Sequence, residues 1–200
     1  MASDPIPPFT REGLLPPGDY ALTFDALRDS RLVQGPNPDR SFGEDADGPR
    51  HDGPWHDWDA AWRQTLTHQA ETLCRPLWAV GIGSVFLDGS FTEAKAHPND
   101  IDGYFACDVE RIARGELQRE LNRIDPKRCW TWDPDARRAY RGYAKRQLPM
   151  WHAYRVELYP HYNQFTGLTD EHGHPLTFPA AFRTRRRDAE PKGIVEIRPA

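Results

Sequence analysis

The sequence predicts an α+β fold, a mixed α/β arrangement in which a small mixed sheet is flanked by helices. Three observations support this prediction. After Asp57, apolar residues recur every three or four positions, which is the spacing of a helix face. Apolar runs at 80–87 and 101–107, both bounded by turn residues, are typical of buried strands. From residue 57 onward the order is helix, strand, strand, helix, helix, strand, strand, which predicts a mixed sheet.

Composition limits the chain to one polar, loop-rich domain spanning 1–200. A length of 200 residues is that of about one domain. The 19 prolines and 15 glycines exceed the share of roughly 12% that these two residues usually hold together. The nine Phe, seven Tyr and seven Trp residues need burial, which excludes a wholly disordered chain.

The first sixty residues are the least regular part of the predicted domain. Residues 1–22 are Pro-rich and are expected to be irregular. Thr23 can cap a short helix that continues through Leu32. Residues 34–58 are dense in Pro, Gly and Asp without any period, which predicts a flexible acidic loop, disordered or weakly ordered.

Two helices follow in the central part of the chain. The first begins at Asp57 or Asp59 and ends near Pro76. An amphipathic pattern over 109–124 predicts the second, weakened by Gly115.

The C-terminal part is predicted to hold one more helix and two strands. A Pro/Asp turn at 133–135 precedes a basic helix over 136–147. The alternating aromatic segment 152–159 predicts a strand. Residues 160–182 are expected to be loop with short turns, and 193–197 to be a last short strand.

Sequence features favour a cytoplasmic protein without a membrane partner. No stretch approaches the roughly 18 apolar residues of a membrane span, and the N-terminus does not resemble a signal peptide. The three cysteines are odd in number and widely spaced, which argues against a disulfide framework and a CxxC zinc site.

Charge is distributed unevenly along the chain. The net charge of −4 combines −7 over residues 1–60, −3 over 61–135 and +6 over 136–200. The 22 arginines far outnumber the four lysines, which is explained equally well by a coding bias or by phosphate recognition. The positive C-terminal part favours an anionic ligand.

The segment with the clearest chemical meaning joins the two central strands. Gly89 and Ser90 follow the first strand, and Asp100 and Asp102 open the second. Alternate residues of a strand share a face, so both carboxylates point the same way while Ile101 is buried. Adjacent carboxylates repel each other unless a cation lies between them, and Mg²⁺ prefers carboxylate oxygens. Gly89 lets a phosphate approach the backbone, and Ser90 can donate to it.

Ordinary structure can also explain these residues. An Asp-x-Asp pair is often a solvated strand end, and Gly-Ser is a common turn. Together at this spacing they arise by chance in about a few per cent of chains of this size. The flanking strands, and a Pro98-Asn99 turn that aims the carboxylates, favour the functional interpretation.

The pattern resembles the signature of the polymerase-β-like nucleotidyltransferase superfamily. It is more closely similar to an uncharacterised nucleotidyltransferase-like family of bacteria and their phages. The segments that carry the resemblance are LPPG at 15–18, LDGSFTEAK at 87–95, PNDID at 98–102, YPHY at 159–162 and KGIVEI at 192–197. The resemblance implies a nucleotidyltransferase-like fold, and its setting suggests a toxin-like role or one in phage–host conflict.

The resemblance also implies a third carboxylate on a later strand, and Glu157 matches best. Val156 and Leu158 would be its apolar neighbours on the opposite face. Many relatives carry Asp here, so a Glu leaves the geometry open. Glu157 could instead be a rim residue paired with Arg155 or with an arginine of the 136–147 helix. A complete triad would hold two Mg²⁺ or Mn²⁺ ions for in-line displacement.

Other candidates have two interpretations each. Lys95 could contact a phosphate or be a solvated loop lysine. The same choice between a solvated surface and an RNA or triphosphate surface applies to two basic groups: Arg137, Arg138, Arg141, Lys145 and Arg146, and Arg183, Arg185, Arg186 and Arg187. His161 is expected to be structural, and zinc at His172 and His174 is improbable.

These observations predict a metal-dependent nucleotidyltransferase that moves a nucleoside monophosphate from a nucleoside triphosphate (NTP) to an acceptor hydroxyl. The acceptor could be an RNA such as tRNA, a protein or a small molecule. The alternative is a catalytically inactive binding or inhibitor module of the same fold that acts on a protein or RNA partner. RNA binding without catalysis is a third hypothesis.

Overall fold

A five-stranded mixed sheet organises the computed structural model, which describes residues 4–35 and 57–199. The strand order is β1-β7-β2-β3-β4, and β5 and β6 form a separate two-stranded sheet. The strands are β1 (Asp19–Leu22), β2 (Val85–Asp88), β3 (Ile101–Ala106), β4 (Val156–His161), β5 (Phe165–Thr169), β6 (Pro175–Thr177) and β7 (Ile194–Ile197). The predicted α+β class with a small mixed sheet is confirmed.

The strand directions place β3, which carries Asp102, between two strands that bear the other predicted site residues or lead into them. β1 runs parallel to β7, and β2 runs antiparallel to both β7 and β3. β4 lies parallel to β3 on the other side. β3 is therefore flanked by the strand that precedes the Gly-Ser turn and by the strand that carries Glu157.

Seven helices accompany the strands in the described parts of the chain: α1 (Phe24–Asp29), α2 (Arg31–Gln34), α3 (Ala60–Ala79), α4 (Val109–Ala113), α5 (Glu116–Ile124), α6 (Pro149–Tyr154) and α7 (Phe178–Ala181). None of the helices within 4–35 and 57–199 has the length and apolar character needed to cross a membrane.

The long helix α3 supplies much of the core, as its spacing predicted. Asp59 caps it, accepting a hydrogen bond from the Trp62 backbone N–H at 2.8 Å. Leu66, Leu73 and Leu77 are fully or almost fully buried in the main apolar cluster. Each contributes about 1.5–3 kcal/mol by leaving water. Helix α3 and the sheet that carries the candidate site therefore share one apolar core.

The N-terminal predictions hold in part. The Thr23 hydroxyl accepts the Ala26 N–H at 3.3 Å, which confirms the cap, but the helix divides at Ser30 into α1 and α2. The prediction that 1–22 is irregular is wrong for β1, because this short strand forms only by pairing with β7, far along the chain. The acidic loop predicted over 34–58 lies outside the described residues from 36 to 56.

Two central boundaries also differ from the prediction. The strand predicted over 80–87 begins only at Val85, after a glycine-containing turn. The helix predicted over 109–124 is two helices, because Gly115 takes a left-handed conformation with φ of 64° and starts α5.

The basic helix predicted over 136–147 is wrong. Only a 3₁₀ turn, Pro134–Ala136, forms there, and the chain then makes a loop closed by reciprocal backbone hydrogen bonds of 2.8 Å between Arg138 and Gln147. The segment has no apolar stripe to bury, and Gly142 takes a φ of 85°. We call residues 137–147 the basic loop.

The strand predicted over 152–159 is partly wrong. Its first half belongs to helix α6, which Pro149 opens and Arg155 ends in a left-handed conformation with φ of 54°. β4 begins only at Val156. The segment 160–182, expected to be loop, contains the β5–β6 hairpin and α7.

Candidate active site on the central sheet

Three acidic residues form a row across neighbouring strands. Asp102 of β3 is the direct cross-strand partner of Asp88 in β2 and of Glu157 in β4. Directly paired residues project from the same face of a sheet. Asp100, two residues before Asp102, shares that face, whereas Ile101 is fully buried. The structure therefore places Glu157 directly beside Asp102, on the strand next to β3.

The two aspartates carry charge that the protein does little to neutralise. In the described chain the Asp102 carboxylate accepts no hydrogen bond and makes no ion pair. Burial, together with the neighbouring charges of Asp100 and Glu157, raises the pKa of Asp102 to about 7. Burial also raises the pKa of Asp100, although Asp100 accepts a hydrogen bond from Trp151 Nε1 at 2.7 Å, which opposes the increase. Such a pair favours a positively charged ligand.

Glu157 is held firmly by donors from its own chain. It is 1% exposed. Its Oε1 accepts the Leu148 backbone N–H at 2.7 Å and Arg137 Nη1 at 3.3 Å, and its Oε2 accepts the Tyr159 hydroxyl. The Lys145 ammonium lies 3.9 Å from Oε2. Burial and the Glu157 charge raise the pKa of Tyr159, so its hydroxyl stays a donor.

The structure also shows which of the two partners considered for Glu157 contacts it. An arginine of the 136–147 segment does pair with it, namely Arg137, but Glu157 is a buried residue rather than a rim residue. Arg155 turns elsewhere, with its guanidinium 4.0 Å from the Trp151 ring centre and 4.4 Å from that of Tyr140.

The Gly-Ser turn lies directly against the Asp102 carboxylate. Residues 89–92 form a 3₁₀ turn in which Gly89 has φ of 79°. A Cβ at Gly89 would stand 2.9 Å from Asp102 Oδ2, closer than carbon and oxygen tolerate. Glycine is therefore required both for the backbone angle and for the close approach. Ser90 follows, partly exposed, and makes no side-chain hydrogen bond in the described chain.

A buried ion pair braces this turn, and sequence reasoning missed it. Lys192 lies 3.0 Å from Asp88 Oδ1 and donates to the Gly89 carbonyl and to Glu93 Oε1, both at 3.2 Å. Thr92 donates to Asp88 at 2.9 Å. Burial raises the pKa of Asp88 to about 6, and Lys192 opposes the increase. No sequence signal connects two residues so far apart.

Arg63, also missed, fixes the loop between the Gly-Ser turn and the aspartates. Its buried guanidinium donates to four backbone carbonyls: Leu32 at 2.6 Å, Phe91 at 2.8 Å, Glu93 at 3.0 Å and Lys95 at 2.7 Å. Burial lowers the pKa of Arg63 to about 9. The helix periodicity of α3 gave no reason to single out a buried arginine.

We call Asp100, Asp102 and Glu157 together the acidic face. Lys95 lies within electrostatic reach of it. Its side chain is exposed, and its charge lowers the pKa of Asp100. Lys145 acts in the same way on both aspartates. These two lysines reach the site from opposite directions in the sequence, one from the loop before β3 and one from the basic loop.

The arginines at 183–187 mostly serve structure. Arg183 makes a two-pronged contact with Asp19 at 2.8 Å and bonds the Tyr104 hydroxyl. Arg185 pairs with Asp188 at 2.6 Å. Arg186 and Arg187 are exposed.

The three histidines considered in the sequence, His161, His172 and His174, pack against rings or lie on an exposed hairpin. His161 packs edge-on against Tyr104 and Phe178. His172 and His174 lie on the exposed β5–β6 hairpin, where His174 contacts Asp170.

The donor set fits a hard divalent cation in part. Within 4–35 and 57–199 no group of three or more His, Cys, Asp or Glu side chains is already arranged as a metal site. Both oxygens of Asp102 and one of Asp100 nevertheless accept no hydrogen bond from any described residue, and oxygen donors suit Mg²⁺ or Mn²⁺. The two donors to Glu157 Oε1 fill that oxygen, whereas Oε2 retains one lone pair beside the Tyr159 contact.

Comparison with known proteins assigns the chain to a family without assigning an activity. A family model described as "Family of unknown function (DUF6932)" matches residues 7–198. The chain therefore belongs to this family. No curated protein and no solved structure matches the chain.

Proposed function

We propose that this member of the DUF6932 family is a metal-dependent nucleotidyltransferase with a nucleotidyltransferase-like fold. The observation that carries the proposal is the acidic face formed by Asp100, Asp102 and Glu157 beside the Gly89–Ser90 turn. Two under-compensated carboxylates at a sheet centre cost stability at neutral pH, so a ligand that neutralises them is the simplest reason to keep them.

Asp100 and Asp102 would hold Mg²⁺ or Mn²⁺, and Glu157 could add its Oε2. The bound cation would supply positive charge to the triphosphate as the leaving pyrophosphate gains negative charge. Trp151 keeps one oxygen of Asp100 in place through its 2.7 Å hydrogen bond. Arg137 and the Leu148 N–H do the same for Glu157.

The Gly-Ser turn and Lys95 would bind the triphosphate. Gly89 has no side chain, so a phosphate can approach its backbone closely, and the Ser90 hydroxyl can donate to a phosphate oxygen. In the proposed reaction the acceptor oxygen forms a bond to the α-phosphorus, the bond from that phosphorus to pyrophosphate breaks, and the proton of the acceptor hydroxyl passes to solvent water. RNA such as tRNA, a protein side chain and a small molecule are the acceptor classes considered.

One observation favours the alternative of an inactive binding or inhibitor module. The charge of Glu157 is already compensated by Arg137 and held by Tyr159, so this carboxylate is less available than the aspartates. In a module of this kind the acidic face would have lost its cation, and a protein or RNA partner would bind elsewhere on the same fold.

Calorimetric titration of ATP, GTP, CTP and UTP separates the two proposals. The enzyme proposal expects at least one NTP to bind in the presence of Mg²⁺ and not in EDTA, and expects Asp102→Asn to abolish that binding. Asp29→Asn is the matched control, because Asp29 is exposed and its side chain makes no hydrogen bond or ion pair in the described chain. Absence of binding with all four nucleotides would favour the module.

A toxin-like role in phage–host conflict is proposed for the biological setting. Expression in a bacterium is then expected to arrest growth, and Asp102→Ala is expected to relieve the arrest. Arrest that persists in this variant at equal protein level would show that the acidic face does not cause it.

A further inference from the structure

A basic cavity lies beside helix α6, away from the acidic face. Its volume is about 300 Å³. Seven residues line it: Lys127, Arg128, Cys129, Arg138, Pro149, His152 and Ala153. The lining combines two arginines, a lysine and a histidine, and it includes no Asp or Glu. Such a lining suits an anion.

The arginines of this cavity are free to bind a ligand. Arg128 and Arg138 are exposed, and in the described chain neither makes an ion pair or a side-chain hydrogen bond. The carboxylate nearest to Arg128 in the sequence, Asp125, is buried and already accepts hydrogen bonds from Tyr154 and Cys129. Nothing in the described lining therefore neutralises the two guanidinium groups.

In a second cavity, of about 360 Å³, an arginine of the lining is paired with a glutamate. There Arg111 faces Glu120, which it contacts at 2.5 Å. The comparison singles out the cavity at Arg128 and Arg138 as a surface with uncompensated positive charge.

Aromatic side chains connect the basic cavity to the acidic face. The Tyr140 ring lies 5.9 Å from that of His152, which lines the cavity, and 5.0 Å from that of Trp151. Trp151 in turn bonds Asp100. The Arg155 guanidinium lies 4.4 Å from the Tyr140 ring centre, and Tyr140 is still 39% exposed, so the remaining part of its ring is open to a ligand.

We infer that the basic cavity binds phosphodiester groups of a single-stranded nucleic acid, with a base stacked on Tyr140. Arginines on phosphates combined with an exposed ring for a base are the usual elements of single-strand recognition. A strand bound in this way would run toward Asp100. The inference concerns binding alone and does not depend on the proposed catalysis.

Fluorescence anisotropy with a labelled 12-nucleotide RNA, and DNA of the same sequence, tests the inference in EDTA. Arg128→Gln/Arg138→Gln is expected to weaken binding about tenfold or more at 50 mM salt. It should also reduce the slope of log affinity against log salt by about 1.4, which is about 0.7 for each lost phosphate contact. Tyr140→Ala should weaken binding about tenfold with an unchanged slope.

The control variant is Arg186→Gln/Arg187→Gln, which removes the same charge from another exposed site. Equal loss in this control, wild-type binding by the Arg128→Gln/Arg138→Gln protein, or no binding of either strand by the native protein would overturn the inference. Displacement of the strand by equimolar ATP would assign the cavity to a nucleotide and also overturn it. Because the assay contains EDTA and no NTP, its outcome does not depend on catalysis, and failure of this inference is distinguishable from failure of the nucleotidyltransferase proposal.

Discussion

Replacing Asp102 with Asn should make the protein more stable at alkaline pH. In the folded chain burial, with the charges of Asp100 and Glu157 adding to it, raises the pKa of Asp102 from an ordinary 3.8 to about 7. A carboxyl group whose pKa is higher in the folded state favours folding fully below the unfolded pKa. That contribution is lost as the pH rises through the folded pKa.

The expected magnitude follows from this difference. A folded-state pKa about three above the unfolded value corresponds to about 4 kcal/mol at full ionisation. Asn keeps the shape of Asp and adds no charge, and the Asp102 carboxylate has no donor in the described chain to lose. Asp102→Asn should therefore raise the free energy of unfolding by about 1–4 kcal/mol at pH 8.5 and by little at pH 4.

Urea unfolding followed by tryptophan fluorescence, in EDTA at both pH values, measures the effect. Asp29→Asn controls for the loss of a surface charge. Magnesium at about ten times its Kd should then stabilise the native protein by about 1.4 kcal/mol and leave the Asp102→Asn variant unchanged. The reasoning would be refuted by a variant that is less stable at pH 8.5, or that gains equally at both pH values.

Three further predictions concern the residues that shape the site. Arg63→Gln leaves buried carbonyls without donors and should lower the free energy of unfolding, measured in urea, by about 3–5 kcal/mol. Arg63→Lys should not restore the native stability. A loss below about 1 kcal/mol would contradict this prediction. Gly89→Ala should lower the free energy of unfolding by about 1–3 kcal/mol, because Gly89 has φ of 79° and an added Cβ would stand 2.9 Å from Asp102 Oδ2. The loss should be smaller in an Asp102→Gly background. Equal losses in both backgrounds would show that the contact with Asp102 is not the cause. Trp151→Phe should raise the pKa of Asp100 further, seen by NMR titration of its carboxyl carbon, and an unchanged pKa would show that the hydrogen bond is unimportant.

The acidic face could be predicted because its information is local. Asp100 directly precedes β3 and Asp102 is its second residue, so alternation alone places them on one face. Glu157 required the family resemblance, and its pairing opposite Asp102 depends on the parallel register of β3 and β4. Lys192 and Arg63 could not be predicted, because their partners are fixed by tertiary packing and lie far away in sequence.

The fold shows the same division between local and distant information. Helix α3 followed directly from its spacing and its Asp59 cap. The basic loop was predicted as a helix because the Pro/Asp turn at 133–135 is typical of a helix start, yet the segment has no apolar stripe to bury. The segment before β4 was misassigned because its alternation fits a strand, while Met150, Trp151 and Tyr154 also share a buried helix face.

Pyrophosphate release tests the central claim most directly. The native protein would be mixed with the four NTPs, Mg²⁺ or Mn²⁺, and bacterial RNA and protein extracts as acceptors. The nucleotidyltransferase proposal expects metal-dependent release that falls at least about 100-fold in Asp100→Asn and in Asp102→Asn and is unchanged in Asp29→Asn. Release that persists at the native rate in both site variants, or no release by the native protein with either metal, would contradict it.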